Sequence, residues 1–306
     1  MRVLITGVCG FVGSRLANCL TRREHDVAGT YIRETPELTD VKLFEADLLD
    51  LAALERAVEG FRPEVVVHLA GLSHVGESWS RWGEYFRVNT LGTENLLRTI
   101  AGVRLVMASS AEVYGHVPEE DQPIAEDRPL APQSPYAMTK AAAERLALMQ
   151  GGVVVRSFNI VGPGQAPNFA LPSFAGQLAE IRREERQPVI RVGNLAARRD
   201  FLHVDDAVEA YRFLLEQGEP GETYNLGGGR AYGIGEALER LIAVSGVETE
   251  VEVDPDRVRP VEIPLLLADT GRLHALGWSA TRTLDEALKD LWEATFGPES
   301  TRTESC

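Results

Sequence analysis

Tyr136 and Lys140 stand four residues apart in Tyr136-Ala137-Met138-Thr139-Lys140, directly after Ser134-Pro135. On a helix this spacing sets a phenol and an ammonium on one face, one turn apart. A cation beside a phenol favours the phenolate and lowers its pKa. Tyr136 would then serve as proton donor or acceptor near neutral pH. Ser110, in Ser109-Ser110-Ala111-Glu112-Val113-Tyr114-Gly115, adds a hydroxyl able to hydrogen-bond a reacting oxygen, and Glu112 adds a second acid or base. Taken singly, a Tyr–Lys pair arises often by chance, Ser110 also fits a turn or cap, and Glu112 also fits a solvated loop.

A second constellation is Gly7-Val8-Cys9-Gly10-Phe11-Val12-Gly13, which follows an apolar run and opens a helical one. Glycines at Gly7, Gly10 and Gly13 permit a tight turn, close approach of a pyrophosphate, and packing of helix on sheet. Phe11 and Val12 open the helix whose free N–H groups face the phosphates. A glycine trio alone is weak; its place between strand and helix raises the dinucleotide reading. Asp47-Leu48 ends a third strand, where Asp47 can accept from an adenine amino group or simply cap a helix. Leu69 and Ala70 in His68-Leu69-Ala70-Gly71 put small groups where a cofactor must pass. The second strand reads Val27-Ala28-Gly29-Thr30-Tyr31-Ile32-Arg33, with no acid before Glu34. A carboxylate there would hold a ribose 2′-hydroxyl, whereas a guanidinium pairs with a 2′-phosphate. Arg33 therefore favours NADP(H), with NAD(H) kept open because Arg33 also fits a solvated surface.

These groups need a scaffold that brings strand ends together. Strands are expected at 2–6, 26–31, 41–46, 64–69, 103–109 and 152–157, with crossover helices at 11–21, 50–59, 83–101 and 136–149. That rhythm predicts an α/β fold, a doubly wound parallel sheet of the Rossmann type covered by helices on both faces. Val65-Val66-Val67 and Val153-Val154-Val155 are apolar on both faces, as a doubly covered sheet requires. Beyond about residue 160, Pro163, Pro167, Pro172 and Gly227-Gly228-Gly229 punctuate shorter elements. The expected division is a cofactor domain over 1–160 and a smaller α/β substrate region over 161–295, with a return of the chain to the first domain left open. The polar tail at 296–306 reads as disordered.

The 306 residues carry a formal net charge of −15 with 44% hydrophobic residues. This argues against a nucleic-acid partner, which needs clustered Lys and Arg. No stretch approaches 18 apolar residues, so no membrane span is expected. Cys9, Cys19 and Cys306 are too few and scattered for a disulfide framework or a metal site. With no signal-peptide layout at the start, a cytoplasmic location fits. An acidic protein that binds a polyanion must also supply a local basic pocket.

In order and spacing, the glycine turn, Asp47-Leu48, Asn89 in Val88-Asn89-Thr90, Ser110 and Tyr136/Lys140 resemble the extended short-chain dehydrogenase/reductase family over roughly residues 1–295. The later half narrows the resemblance. Arg156 to Gln165, Val192 to Phe201 and Arg257 to Pro264 are similar to segments of GDP-mannose 4,6-dehydratases and GDP-4-keto-6-deoxy-mannose reductases. The resemblance implies that Asn159, Asn194, Arg199, Arg259 and Glu262 hold a nucleotide diphosphate and its ribose, with His74 also on the substrate side. Arg191, Arg199 and Arg259 would give the basic pocket that the net charge otherwise denies. Ser73-His74-Val75 and Glu112 resemble dehydratase motifs, in which the glutamate takes the sugar C5 proton. Ala111 stands where some other sugar dehydratases place an acidic proton donor, and the glycine turn with Ser109-Ser110 looks more like the reductases. The implied activity is NADPH-dependent reduction of the C4 ketone of a GDP-4-keto-6-deoxy-hexose. GDP-mannose 4,6-dehydratase, another nucleotide-sugar epimerase or dehydratase (UDP- or dTDP-linked sugars included) and a non-catalytic dinucleotide-binding regulator are the alternatives. The family habit implies a homodimer through 83–101 and 136–149, with Leu96, Leu97, Ile100, Leu146 and Leu148 as apolar surface.

Overall fold

A computed structural model describes residues 1–33, 38–257 and 263–297. The first half runs β1 (Arg2–Thr6), α1 (Phe11–Arg22), β2 (Asp26–Tyr31), β3 (Val41–Glu45), α2 (Leu51–Phe61), β4 (Val65–His68), α3 (Val75–Ser78), α4 (Trp82–Tyr85), α5 (Gly92–Thr99), β5 (Arg104–Ser110), α6 (Pro135–Met149) and β6 (Val153–Ser157). The chain continues through β7 (Asn159–Val161), α7 (Ala170–Arg182), β8 (Val189–Val192), β9 (Arg198–His203), α8 (Val204–Gln217), β10 (Thr223–Leu226), β11 (Ala231–Gly233), α9 (Ile234–Ser245), β12 (Glu250–Val253), β13 (Leu265–Leu266), α10 (Gly271–Leu276) and α11 (Leu284–Phe296).

Among the described residues, seven strands form one sheet in the order β10-β6-β5-β4-β1-β2-β3. All of its pairings are parallel, so every carboxyl end opens on the same edge. The valines of β4 and β6 are buried because helices cover both sheet faces. One core packs α1 and α8 against the sheet through Leu16, Leu20, Val208 and Leu214. The opposite core seats α2, α5 and α6 through Leu54, Leu96 and Ala143. A further core joins α7, α9 and α11 to the short strands β8 and β9. Strand β9 pairs with β7, β11 and β13, and β8 pairs with β12.

Local chemistry sets the helix starts. Ser134 accepts the Ala137 N–H at 3.1 Å and Pro135 follows as the first residue of α6. Thr283 and Glu286 close a reciprocal capping box on α11.

The expected helix over 83–101 keeps helical backbone from Trp82 to Thr99 and widens in its middle. Between α4 and α5 the residues Phe86–Leu91 take a π-helical turn, a widening often found at functional sites. Leu96, Leu97 and Ile100 are at most 3% exposed and belong to the core rather than to a free face. Leu146 and Leu148 pack partly buried on the same core. The exposed apolar groups of this region are instead Trp79, Trp82, Phe86, Leu91 and Met138. No helix among the described residues is long and apolar enough to cross a membrane.

Candidate active site

The glycine turn sits where β1, β2 and β4 end together. Gly7 has φ +71°, and a Cβ there would lie 2.8 Å from the Ala70 backbone. Gly10 N–H donates to Gly7 O at 2.9 Å and Gly10 caps α1. A Cβ on Gly13 would stand 2.3 Å from Gly7 O. The turn is thus closed on itself, and the N-terminus of α1 opens at the sheet edge. Phe11 and Val12, in the first turn of α1, are half-buried. Leu69 and Ala70 bond back to Thr6, at its O (3.2 Å) and Oγ1 (3.3 Å). Arg33 is exposed just beyond β2. Asp47 is exposed beyond β3 and accepts the Leu49 N–H at 2.9 Å. Leu48 is buried against Gly92. These positions lie along the carboxyl edge, from the end of β3 to that of β4, where doubly wound sheets take nucleotides.

The adjoining strand β5 ends on Ser110, whose Oγ accepts the Glu112 N–H at 3.2 Å in a short 3-10 turn over Ala111–Tyr114. Ser110, Tyr136 and Lys140 are each 8% exposed. Burial raises the Tyr136 phenol above its ordinary value; Ser110's hydrogen bond opposes this, while Glu112, Tyr211 and Tyr85 add to it. The direction is opposite to the one expected from the Tyr–Lys spacing. The desolvation of a closed site and a nearby carboxylate outweigh the help an ammonium can give. Lys140 itself is lowered to about 8 by burial, with Glu144 opposing. Near pH 7 the site therefore presents a protonated phenol beside a protonated amine.

Asn89 lies in the π-helical turn and is 2% exposed. Its Oδ1 accepts the Leu72 N–H (2.8 Å), and its Nδ2 donates to Leu72 O (2.9 Å) and Thr139 Oγ1 (3.0 Å). It thereby ties the loop after β4 to α6, one residue before Lys140. Beneath it, Thr93 Oγ1 donates to Asn89 O at 2.6 Å and so can only accept from His68 Nε2, 2.9 Å away. That leaves His68 Nδ1 as acceptor for Thr6 Oγ1 at 2.7 Å. Burial, then the Lys140 charge, lowers His68 to about 3, so it is neutral.

The residues expected on the substrate side are placed more variously. His74 Nδ1 accepts the Glu77 N–H (3.1 Å), Nε2 donates to Asn168 O (3.0 Å), and the ring meets Phe169 edge-on. Nδ1 therefore caps α3, while Nε2 bridges the loop after β4 to the segment before α7. Asn159 is exposed on β7, and Arg199 is buried on β9 with Nη1 on Arg198 O at 2.9 Å. These two share one small sheet. Asn194 is exposed between β8 and β9 and accepts the Ala196 N–H. Arg191 lies on the separate β8–β12 pair, opposite Glu252 and 3.7 Å from its carboxylate, so its charge is met within the chain. Arg259 and Glu262 lie outside the described residues.

The sequence model of the family described as GDP-mannose 4,6 dehydratase matches residues 4–291. The chain belongs to this family. Within and around it, the chain is 35% identical to the GDP-6-deoxy-D-mannose reductase of Pseudomonas aeruginosa, covering 96% of this chain and 97% of that one. The structure of RMD from Pseudomonas aeruginosa complexed with NADPH superposes with a TM-score of 0.84 at 32% identity, covering 96% and 98%. The Thermus thermophilus UDP-glucose 4-epimerase complex with NAD gives 0.87 at 31%, covering 96% and 99%. The membership agrees with the resemblance read from the motifs, and the doubly wound sheet is the expected one.

Other buried groups of this family member escaped the sequence reading. Asp200, 0% exposed, accepts backbone N–H groups from Gly228 (2.6 Å), Gly229 (3.0 Å) and Ala268 (3.2 Å), and is raised by burial to about 6. Its one sequence signal was the run Gly227-Gly228-Gly229. A Cβ on Gly227 would reach Asp200 Oδ2 at 2.7 Å. Glu144 and Arg156 form a buried pair twelve residues apart, with no local pattern to announce it.

Proposed function

We propose that the protein reduces the C4 ketone of a GDP-4-keto-6-deoxy-hexose with NADPH, in the cytoplasm. The likeness to the Pseudomonas aeruginosa reductase and to the NADPH-bound structure supports the substrate and the cofactor. The observation that carries the reaction type is Tyr136, buried at the carboxyl edge with Lys140 on α6 and hydrogen-bonded to Ser110 at the end of β5. The cradle fits a dinucleotide, because the N-terminus of α1 opens at the carboxyl edge of the sheet and its cap, Gly10, puts no side chain at that mouth. Gly7, Gly10, Phe11, Val12 and Gly13 would hold the pyrophosphate, Asp47, Leu48, Leu69 and Ala70 the adenosine side, and Arg33 the 2′-phosphate. When bound, NADPH supplies the hydride. Tyr136 donates its proton to the C4 oxygen as charge develops there, Ser110 shares that charge through a hydrogen bond, and Lys140 stabilises the phenolate left behind.

Asn159, Asn194, Arg199, Arg259, Glu262 and His74 are proposed to contact the nucleotide diphosphate or its sugar. Ala111, 2% exposed, offers no acid to a departing hydroxyl, which favours reduction over elimination. A 4,6-dehydratase is the second reading, favoured by Glu112, half-buried and close enough to raise Tyr136. Incubation with GDP-mannose and NADP⁺ alone separates the two. Accumulation of a 4-keto product supports the dehydratase, and steady NADPH consumption on the keto-sugar supports the reductase. Tyr136→Phe should abolish turnover with little change in nucleotide binding; retained turnover would remove Tyr136 from this role. We also propose a homodimer through the face that exposes Trp79, Trp82, Phe86, Leu91 and Met138, to be checked by light scattering on the wild type and on Trp82→Glu.

A further inference from the structure

Glu144 is 1% exposed on α6, one turn beyond Lys140. Its Oε1 accepts Arg156 Nη2 at 2.7 Å, and its Oε2 accepts Arg156 Nε at 3.2 Å and Ser109 Oγ at 2.8 Å. Arg156, 5% exposed on β6, also donates from Nη1 to the Tyr114 hydroxyl and to Glu126 O, each at 2.9 Å. The Tyr114 hydroxyl in turn donates to Asn225 Oδ1 at 2.7 Å. None of these groups takes part in the proton transfer derived above. A buried pair of this kind is weak as a source of stability, since apolar residues of equal volume serve as well or better. Its placement gives it a different use. Ser109 precedes Ser110 on β5 and stands in register with Arg156, as Ser110 does with Ser157. From the helix that carries Tyr136 and Lys140, Glu144 therefore grips the residue beside the hydroxyl that those two must meet.

We propose that Glu144 is a positioning residue for the reduction, fixing α6 against the end of β5 and facing Lys140 with a negative charge; the assignment rests on the functional reading above. The surroundings of Lys140 make this charge matter. From β4 it meets His68, which is neutral, and on its own helix Tyr136 and Glu144. Strand β5 offers the uncharged Ser109 and Ser110, β6 offers Arg156 bound to Glu144, and Glu112, Tyr85 and Tyr211 face Tyr136. Of these, Glu144 is the charge that supports the ammonium against burial.

Lys42, Lys140 and Lys289 are the three lysines of the chain. Lys42 is exposed, and the Lys289 side chain is 65% exposed. Carbon-13 labelling at lysine Cε therefore gives an NMR titration in which Lys140 stands apart, midpoint about 8 in the wild type. Glu144→Gln should lower that midpoint by about one pH unit and leave Lys42 and Lys289 unmoved. An unmoved Lys140 in a folded variant overturns the proposal. Because Glu144→Gln strands a buried guanidinium, the paired variant Glu144→Gln with Arg156→Met serves if the single one does not fold, with the same sign and a smaller shift. Ser109→Ala removes one tie and no charge. It should lower kcat roughly tenfold with the KM for NADPH unchanged, and an unchanged kcat overturns the positioning role even if neither charge variant folds. The titration needs no turnover. A wild type inactive on the keto-sugar would thus sink the functional reading and leave this test standing.

Discussion

Adding one methyl group in turn at Gly7, Gly10 and Gly13 separates what the glycine turn does for the fold from what it does for a ligand. Gly13→Ala drives a Cβ to 2.3 Å from Gly7 O and 3.1 Å from Gly7 C. Both partners are backbone and cannot swing aside. The overlap should cost about 3 kcal/mol or more, offset by roughly 1 kcal/mol of helix propensity inside α1. Gly7→Ala combines φ +71°, worth about 1–2 kcal/mol, with 2.8 Å contacts to the Ala70 backbone that add about 1–3 kcal/mol. Gly10→Ala is different. Its backbone is extended at φ −76°, and its Cβ meets only Gly7 O, at 3.1 Å. It should cost less than about 1 kcal/mol of stability, yet the added methyl stands at the mouth of the α1 N-terminus. Urea unfolding of the cofactor-free proteins should therefore rank Gly7→Ala and Gly13→Ala as clearly destabilised and Gly10→Ala as near wild type. NADPH fluorescence titration should show Gly10→Ala weakened by roughly tenfold or more, about 1.4 kcal/mol. A Gly10→Ala protein that binds NADPH as tightly as the wild type would refute the cradle.

Asp200→Ala strands three buried backbone N–H groups; relief of the charge burial that lifts Asp200 to about 6 gives part of this back. A net loss of about 2–4 kcal/mol is expected in urea unfolding, and a loss below about 0.5 kcal/mol would show that the carboxylate does not hold the 227–229 turn. His68 titrates at about 3 in the fold against an unfolded value of 6.5. Its contribution is complete above pH 6.5 and drains away as pH falls toward 3. Between pH 6.5 and 4.5 the wild type should thus lose about 2–3 kcal/mol more than His68→Gln, and equal losses would contradict a neutral, buried imidazole. Arg33→Glu should weaken NADPH more than NADH, measured as the ratio of dissociation constants; a ratio that does not move removes Arg33 from the 2′-phosphate.

The framework was legible because its signals are local. The valine runs of β4 and β6, the glycine turn, and Ser134-Pro135 ahead of Tyr136 each lie within one short window, and the strand–helix rhythm orders them. Long-range demands were not legible. The π-helical turn at Phe86–Leu91 carries Asn89, which bonds Leu72 and Thr139, and no periodicity in 83–101 reports a partner fifty residues away. The direction of the Tyr136 shift also escaped, because spacing reports a neighbour's charge but not how dry the site is. Arg191 and Arg199 look alike as residue types, yet one faces Glu252 in solvent and the other is buried on β9.

The strand β10 joins the large sheet only after the chain has built α7, β8, β9 and α8. Until residue 226 has been synthesised, β6 keeps a bare edge of unpaired N–H and C=O groups. A fragment stopped near residue 160 would carry the glycine turn and the Tyr–Lys pair, and would also be a template for strand addition by any neighbouring chain. Swapping the second half for that of a relative, as a cassette, would mean swapping a load-carrying plank of the first half with it.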